Sequence, residues 1–343
     1  MRVLFLTLAN DNIASSRTRV FQFIPYLNKL GITCKVIVSN PYYARRSKNI
    51  LKKVAKSIHK KLNNLNFFFT SLFFTNIFIQ KVYLPRWEIK IFKYCGKNII
   101  YDFDDAIYVN EQSQAISKNK RKRLDYVLKQ ADWITVENET NANYAKICGN
   151  NNSIIITGPI ECNRYFPQEN TNSGNEFVIG WIGSPSTTKY LEIVKRPLQI
   201  LSQTHPNFKL MLIGANDIAI EGVNTENYPW TLDSEVELLR KFDIGIMPLY
   251  NDIWCAGKGG YKLLQYMALG IPSIASPVGV NDDILNMGDI GFKAITEEDW
   301  IKSFEKLINN KEIRLQMGKK ARETALTYFS YEKYVHDLIH CFR

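Results

Sequence analysis

Residues 254–284 read WCAGKGGYKLLQYMALGIPSIASPVGVNDDI. A glycine- and lysine-rich loop, Gly257 to Gly260, runs into a helical segment that stops at Gly270. A short β-prone run follows, Pro272 to Ser276, and the turn Pro277-Val278-Gly279 then feeds another helix. Where a loop enters a helix, backbone N–H groups converge with the positive end of the helix dipole, so an anion is the natural ligand. Lys258 and Lys262 stand beside that start at i, i+4 spacing and can face one point, with Gln265 a turn later. An ordinary αβ unit with solvated lysines has the same spacing, which alone does not separate the two readings.

Outward from this stretch the chain alternates strand and helix. In the first half strands are expected at 2–8, 33–38, 77–81, 98–103, 133–136 and 153–157, with helices at 17–30, 45–64, 118–130 and 138–148. Residues 167–176, PQENTNSGNE, are polar and without periodicity, the character of a linker. Beyond it strands fit 177–182, 209–213, 243–247 and 272–276, and helices 187–203, 232–241, 258–269, 281–286, 297–309 and 311–328. Strands separated by helices imply parallel, doubly wound sheets. The predicted organisation is an α/β domain over 1–166, a second over 177–329, and a last helix over 330–343 with Ser330 as its cap.

At 343 residues the chain can bury two cores, and its 45% apolar and 22% charged residues are those of a globular protein. Six scattered cysteines, without any C-x-x-C pair, read as reduced thiols and exclude a disulfide framework or a cysteine zinc site. The apolar start VLFLTL is too short for an export signal and reads as a first strand. The longest greasy run, residues 67–80, falls short of the roughly 20 residues that a spanning helix needs. The net charge of +11 is uneven: residues 1–165 hold 26 Lys/Arg against 11 Asp/Glu, and residues 166–343 hold 18 against 22. That asymmetry points to an anionic partner for the first half.

Three further strand ends carry chemistry. In GSPSTTKYL, 183–191, Gly183, Ser184 and Thr187 sit at a loop-to-helix junction suited to phosphate, with Lys189 beside them. A capped helix with an exposed lysine is the plain alternative. In YDFDDAIY, 101–108, Asp102, Asp104 and Asp105 end a strand, where uncompensated buried charge is costly. They either cap the next segment or face a ligand, with Asp104 and Asp105 best placed to orient or deprotonate a hydroxyl. In ANDNIASSRTR, 9–19, Asn10, Ser16 and Arg17 mark a polar loop opening a helix. NYPW, 227–230, and MPLY, 247–250, place aromatics at strand ends, where a nucleobase could stack.

The opening stretch also resembles the donor motif of the retaining, two-domain glycosyltransferases of family 4, in which a Glu–x7–Glu element precedes an AMA-G-P-V-A-S-x-V-G run. YMALGIPSIASPVG matches the second part, while the two acids fall on Gly257 and Gln265, as in a GK…KLLQYMA form of the motif. The resemblance continues through SSRTRVFQFIPYLNKLG, YDFDDAIY, GWIGSPSTTKYL and DIGIMPLY in the expected order. It implies the GT-B fold, two Rossmann-like domains facing a cleft, with ligands at the carboxyl ends of both sheets. It implies a nucleotide-sugar co-substrate, UDP- or GDP-linked, and no metal or other cofactor. Donor binding then falls to Gly183, Ser184, Thr187, Lys189, Lys258, Gly259, Gly260, Lys262, Gln265, Val278 and Gly279. Ser184 stands where the family has Arg. Lys189 and Lys258 carry the charge of the departing diphosphate, Asp104 and Asp105 act on the acceptor, and Asn10, Ser16, Arg17 and Asp102 lie on the acceptor side. The last helix is expected to pack back on the first domain.

Residues 45–62, RRSKNILKKVAKSIHKKL, place Ile50, Leu51, Val54, Ile58 and Leu62 at helical spacing among eight Lys/Arg. This is the pattern of a basic amphipathic helix on an anionic bilayer, with aromatics at 67–74 next in line. No nucleic-acid module accompanies it, so nucleic acid is not expected as a partner. The combined expectation is a cytoplasmic glycosyltransferase, peripheral to the inner membrane through residues 45–74. It would pass a sugar with retention to a lipid-linked glycan in bacterial surface polysaccharide synthesis. A nucleotide-sugar-binding protein without turnover, or a sugar-nucleotide epimerase of the same fold, are the alternatives.

Overall fold

Runs such as VLFL at 3–6 are apolar at consecutive positions, the pattern of strands covered on both faces, and all four side chains are fully buried. The structure, a computed structural model, describes residues 1–43, 50–111, 118–168 and 176–343. It divides into two compact units. The first comprises Met1–Pro159, Gly257–Gly259 and Tyr331–Arg343; the second comprises Ile160–Ala256 and Gly260–Ser330. Residues 160–166, assigned by the sequence reading to the first domain, therefore belong to the second.

The first unit is a six-stranded parallel sheet of β1 (Arg2–Thr7), β2 (Thr33–Val38), β3 (Asn76–Gln80), β4 (Asn98–Phe103), β5 (Trp133–Val136) and β6 (Ser153–Ile155). Its order is β2-β1-β3-β4-β5-β6, so the winding reverses between β1 and β3. The second is also six-stranded: β7 (Phe177–Ile182), β8 (Phe208–Ile213), β9 (Thr225–Tyr228), β10 (Ile244–Met247), β11 (Ser273–Ala275) and β12 (Gly291–Lys293). Its order, β12-β11-β10-β7-β8-β9, is the doubly wound Rossmann arrangement, and it reverses between β7 and β10. Ligands of such sheets bind beyond the carboxyl ends of the strands at the reversal. Trp181, Leu198, Leu201, Trp300 and Phe304 build its core on one face.

Several elements depart from expectation. The segment 17–30 is not one α-helix: a π-helical turn, Arg17–Phe21, separates the short turn Ala14–Ser16 from the helix Ile24–Lys29. The helix expected at 45–64 is described as Ile50–Ser71, and residues 45–49 lie outside the described residues. So do residues 169–175 of the expected linker. Ser330 bridges Ile160 in parallel, and the last helix runs Tyr331–His340. That helix belongs to the first unit, where the Tyr331 ring stacks on Tyr26 and its hydroxyl donates to the Thr18 carbonyl at 2.9 Å.

Candidate functional site

At the reversal of the second sheet, β7 ends in Gly183. A Cβ there would lie 2.3 Å from the Trp181 ring, so the close approach of that ring requires glycine. The Lys262 ammonium lies 5.6 Å from the centre of the same ring, which joins the first turn of the helix Tyr261–Ala268 to the Gly183 loop. On the other side Gly214, at φ +79°, ends β8 with its Cα hydrogen against the Gly183 carbonyl and the Trp230 side chain. Trp230 Nε1 and the Tyr165 hydroxyl each donate to one oxygen of Glu235, and Gln265 Nε2 donates to the Tyr165 oxygen at 3.3 Å. Gly183, Gly214, Trp230, Glu235, Tyr165 and Gln265 thus form a chain of contacts, which the Trp181 ring and the helix shared by Lys262 and Gln265 close into a circuit. Within this unit the structure brings Gly183, from one motif of the sequence reading, together with Lys262 and Gln265, from another.

The remaining donor residues of this unit are arranged around the circuit. Thr187 accepts from the Ser184 amide at 3.1 Å and donates to its carbonyl at 2.9 Å, while the Ser184 and Ser186 hydroxyls pair at 2.9 Å. The helix expected from about 187 begins instead as a 3-10 turn, Pro185–Leu191, and Lys189 is exposed near its end with its ammonium 5.2 Å from the Tyr190 ring centre. Gly260, at φ +68°, packs on Val280 and the buried Asn281, and Gly279, at φ +55°, packs on the Ala256 carbonyl. The turns that start the helices Tyr261–Ala268 and Val280–Leu285 are therefore adjacent, with Val278 buried between them and the core. Of the two aromatic motifs, Trp230 is held edge-on by Glu235, and Tyr250 donates to the Lys189 carbonyl at 3.2 Å.

Lys258 and Gly259 fall in the first unit. Asn141 donates to the Gly257 carbonyl and Asn138 to the Lys258 carbonyl, both at 3.0 Å, and a Cβ on Gly259 would lie 2.5 Å from the Glu137 carboxylate. Glu137 and Asn138 follow β5 directly, and the Asn138 side chain caps the helix Glu139–Ile147.

The acceptor-side expectations change most. Asp102 is fully buried at the end of β4, where it accepts from Arg19 Nε at 3.0 Å and from the Thr135 hydroxyl at 2.7 Å. It is a structural anion, out of reach of an acceptor. Burial pushes its carboxyl up, against the pull of Arg19. Arg19 also meets Glu137 at 3.2 Å and donates to the Ile156 carbonyl. Burial pulls its guanidinium down, but Asp102 and Glu137 together outweigh that and hold it above its ordinary value. Burial raises Glu137 to about 8.

Ser16 is buried too, donating to Gln80 Oε1 at 3.0 Å and accepting from the Ala9 amide, so it closes the β1/β3 reversal instead of facing a ligand. Arg17 is buried and donates to the Asp11 carbonyl at 3.1 Å. Asp104 and Asp105 are half-buried, and both pair with Lys81, Asp105 at 2.8 Å. Lys81 itself sits at φ +57°, a left-handed backbone that costs a non-glycine residue. Asn10 remains half-buried at the end of the β1 loop. Lys81 and Glu137 escaped the sequence reading, as did the partners of Arg19, because each pairing spans more than twenty residues of chain.

Residues 163–324 match the family model described as glycosyl transferases group 1. No curated protein sequence matches the chain significantly. Among solved structures, the sucrose-phosphate synthase of Thermosynechococcus elongatus is similar at a TM-score of 0.77 and 13% identity, covering 100% of this chain and 98% of the other. Anabaena Alr3699/HepE in complex with UDP is similar at 0.71 and 13%, covering 100% and 99%. WaaG, a glycosyltransferase involved in lipopolysaccharide biosynthesis, is similar at 0.69 and 14%, covering 97% and 98%. The chain thus has the GT-B fold of these glycosyltransferases, and its residues 163–324 match the group 1 glycosyl transferase model.

Proposed function

We propose that the protein is a retaining glycosyltransferase that moves a sugar from a UDP- or GDP-linked donor to a lipid-linked glycan in bacterial surface polysaccharide synthesis, at the cytoplasmic face of the inner membrane. The observation that carries this reading is the circuit at the β7/β10 reversal, which gathers a glycine loop, the Lys262 cation and the polar Gln265 where a doubly wound sheet takes its ligand. HepE supports the donor class, having been crystallised with UDP and with UDP-glucose. In this reading Lys189, Lys258 and Lys262 neutralise charge as it develops on the leaving diphosphate, which lowers the barrier more than it tightens ground-state binding. Asp104 and Asp105 serve the acceptor with Lys81 as their counter-ion. No metal is assigned a role.

The membrane is assigned to the helix Ile50–Ser71. Leu51, Val54, Ile58, Leu62, Leu65 and Phe69 recur along it at three- and four-residue steps, and all stand exposed with lysines between them. An apolar stripe facing outward in basic surroundings fits an anionic bilayer that presents a lipid-linked acceptor.

The test is a thermal-shift screen of UDP-, GDP-, CMP- and dTDP-sugars, followed by measurement of nucleoside diphosphate release with membrane extract. A UDP- or GDP-sugar should stabilise the protein and be turned over only with acceptor. Lys262→Ala should lower kcat/KM about 100-fold. Turnover of donor alone would replace this reading with an epimerase, and tight binding without turnover would replace it with a binding protein.

A further inference from the structure

Gly257, Lys258 and Gly259 belong to the first unit and pack on it without room for a side chain at either glycine. A Cβ on Gly257 would lie 2.6 Å from the Ala106 Cβ, and one on Gly259 would lie 2.5 Å from the Glu137 carboxylate. Two buried asparagines, Asn138 and Asn141, hold this loop by its carbonyls, and a second bond orients each amide. Asn138 Oδ1 accepts from the Asn141 backbone N–H at 3.0 Å, so its NH2 is the group that donates to the Lys258 carbonyl. Asn141 Oδ1 accepts from the Tyr108 hydroxyl at 3.3 Å, so its NH2 is the group that donates to the Gly257 carbonyl. Tyr108 stacks on Tyr144 with 3.7 Å between ring centres, and burial pushes its phenol up to about 12, so it keeps the proton it donates. Both loop peptides are trans, and in a trans peptide the N–H points opposite to the C=O. With the carbonyls of Gly257 and Lys258 taken up by the asparagines, the N–H groups of Lys258 and Gly259 are turned away from them.

Resting on the donor-site reading above, we infer that Asn138 and Asn141 are positioning residues, which pin the Gly257–Gly259 loop so that Lys258 stands where it meets the leaving diphosphate. They act through the backbone on either side of that lysine and touch no reacting atom themselves. The packing also accounts for glycine at 257, because any other residue would drive its Cβ into Ala106 and lift the Gly257 carbonyl off Asn141. The loop can keep both bonds only with glycine there, and the side chain it presents is the next one along, Lys258.

Asn138→Ser separates the two tasks of that residue, because serine caps the helix Glu139–Ile147 but has no amide for the Lys258 carbonyl. In hydrogen exchange the amides of 257–259 should exchange about tenfold faster in this variant, while the helix stays as protected as in the wild-type protein. UDP and GDP carry the charge that the leaving group acquires, so calorimetric titration with both reports the Lys258 contact. Lys258→Ala should weaken the nucleotide that binds about tenfold, and Asn138→Ser should weaken it about fivefold at an unchanged melting temperature. In a Lys258→Ala background the serine should cost less than about twofold, since the group it misplaces is already gone. A general loss of structure would instead add in full to the effect of Lys258→Ala. Asn141→Ser, which releases the Gly257 carbonyl, should show the same non-additivity. Binding of neither UDP nor GDP overturns the donor-site reading and this inference with it. Nucleotide affinity unchanged by Lys258→Ala, additive losses, or unchanged exchange at 257–259 each overturn this inference and leave the donor-site reading standing.

Discussion

Arg19 is the residue whose removal should cost the fold most. Its guanidinium is the cation for Asp102 and also donates to Glu137, and all three are buried. Truncating one partner of such a group leaves uncompensated charge, so Arg19→Met should destabilise the protein by about 3–5 kcal/mol in urea unfolding. Glu137 gives the cluster a pH signature. The folded state keeps its proton to about 8, whereas the unfolded chain releases it near the ordinary glutamate value, about 4.3. Between those values the folded protein binds more protons than the unfolded one, so this contribution is complete below the lower value and is lost as pH rises through the upper. Glu137→Gln does not titrate, and its urea midpoint should vary less between about pH 5 and pH 8 than that of the wild-type protein. A steeper dependence in the variant would contradict the assignment. At this scale the sequence was only partly legible. Gly183, Lys262 and Gln265 announce themselves through loop chemistry and helical spacing. Whether Asp102 faces a ligand or an arginine depends on Arg19, 83 residues away in sequence, and no local pattern records that pairing.

Elements were easier to read where their burial is complete. The central strands are continuous apolar runs, and β4, β5 and β7 begin and end where the pattern does, as does the edge strand β2 despite its exposure. The strands missed are the two edges of the second sheet, β9 and β12, because a half-exposed edge such as Thr225–Tyr228 needs no apolar run. The π-helical turn at Arg17–Phe21, which holds the buried Arg19, was also invisible, since its apolar spacing is helical. Strand glycines carry a prediction of their own. Gly245 in β10 lies under the Tyr266 ring, which a Cβ would approach to 2.4 Å. Tyr266 is fully buried on the helix Tyr261–Ala268, so it cannot swing aside without moving the helix that carries Lys262 and Gln265. Gly245→Ala should therefore cost about 1–3 kcal/mol by overpacking and also weaken nucleotide binding in calorimetry. A variant that is destabilised yet binds normally would show that the ring yields without the helix.

Over the whole molecule the charge is divided as sharply as the chemistry. The excess of cations lies in residues 1–165, and the helix Ile50–Ser71 turns Lys53, Lys60, Lys61 and an apolar stripe outward. Among the described residues no helix is long and apolar enough to cross a membrane, and in the proposed function this helix lies on the surface. Two forces of different range would then hold it. Lysine attraction to anionic headgroups amounts to about 1 kcal/mol per charge and is screened as the Debye length falls from about 10 Å in 0.1 M salt to about 3 Å in 1 M salt. Apolar insertion is insensitive to that screening. Vesicles containing phosphatidylglycerol should therefore bind the protein far better than pure phosphatidylcholine, and high salt should weaken but not abolish the binding. Leu51, Val54, Ile58 and Leu62 are each more than half exposed, so changing Leu51, Ile58 and Leu62 to Ser should leave folding within about 0.5 kcal/mol of wild type. With about 1 kcal/mol of apolar transfer lost per side chain, the triple variant should bind roughly a hundredfold more weakly while keeping its salt dependence. Equal binding to neutral vesicles, or a triple variant that binds as wild type does, would remove the bilayer from the proposal and leave the stripe in need of a protein partner.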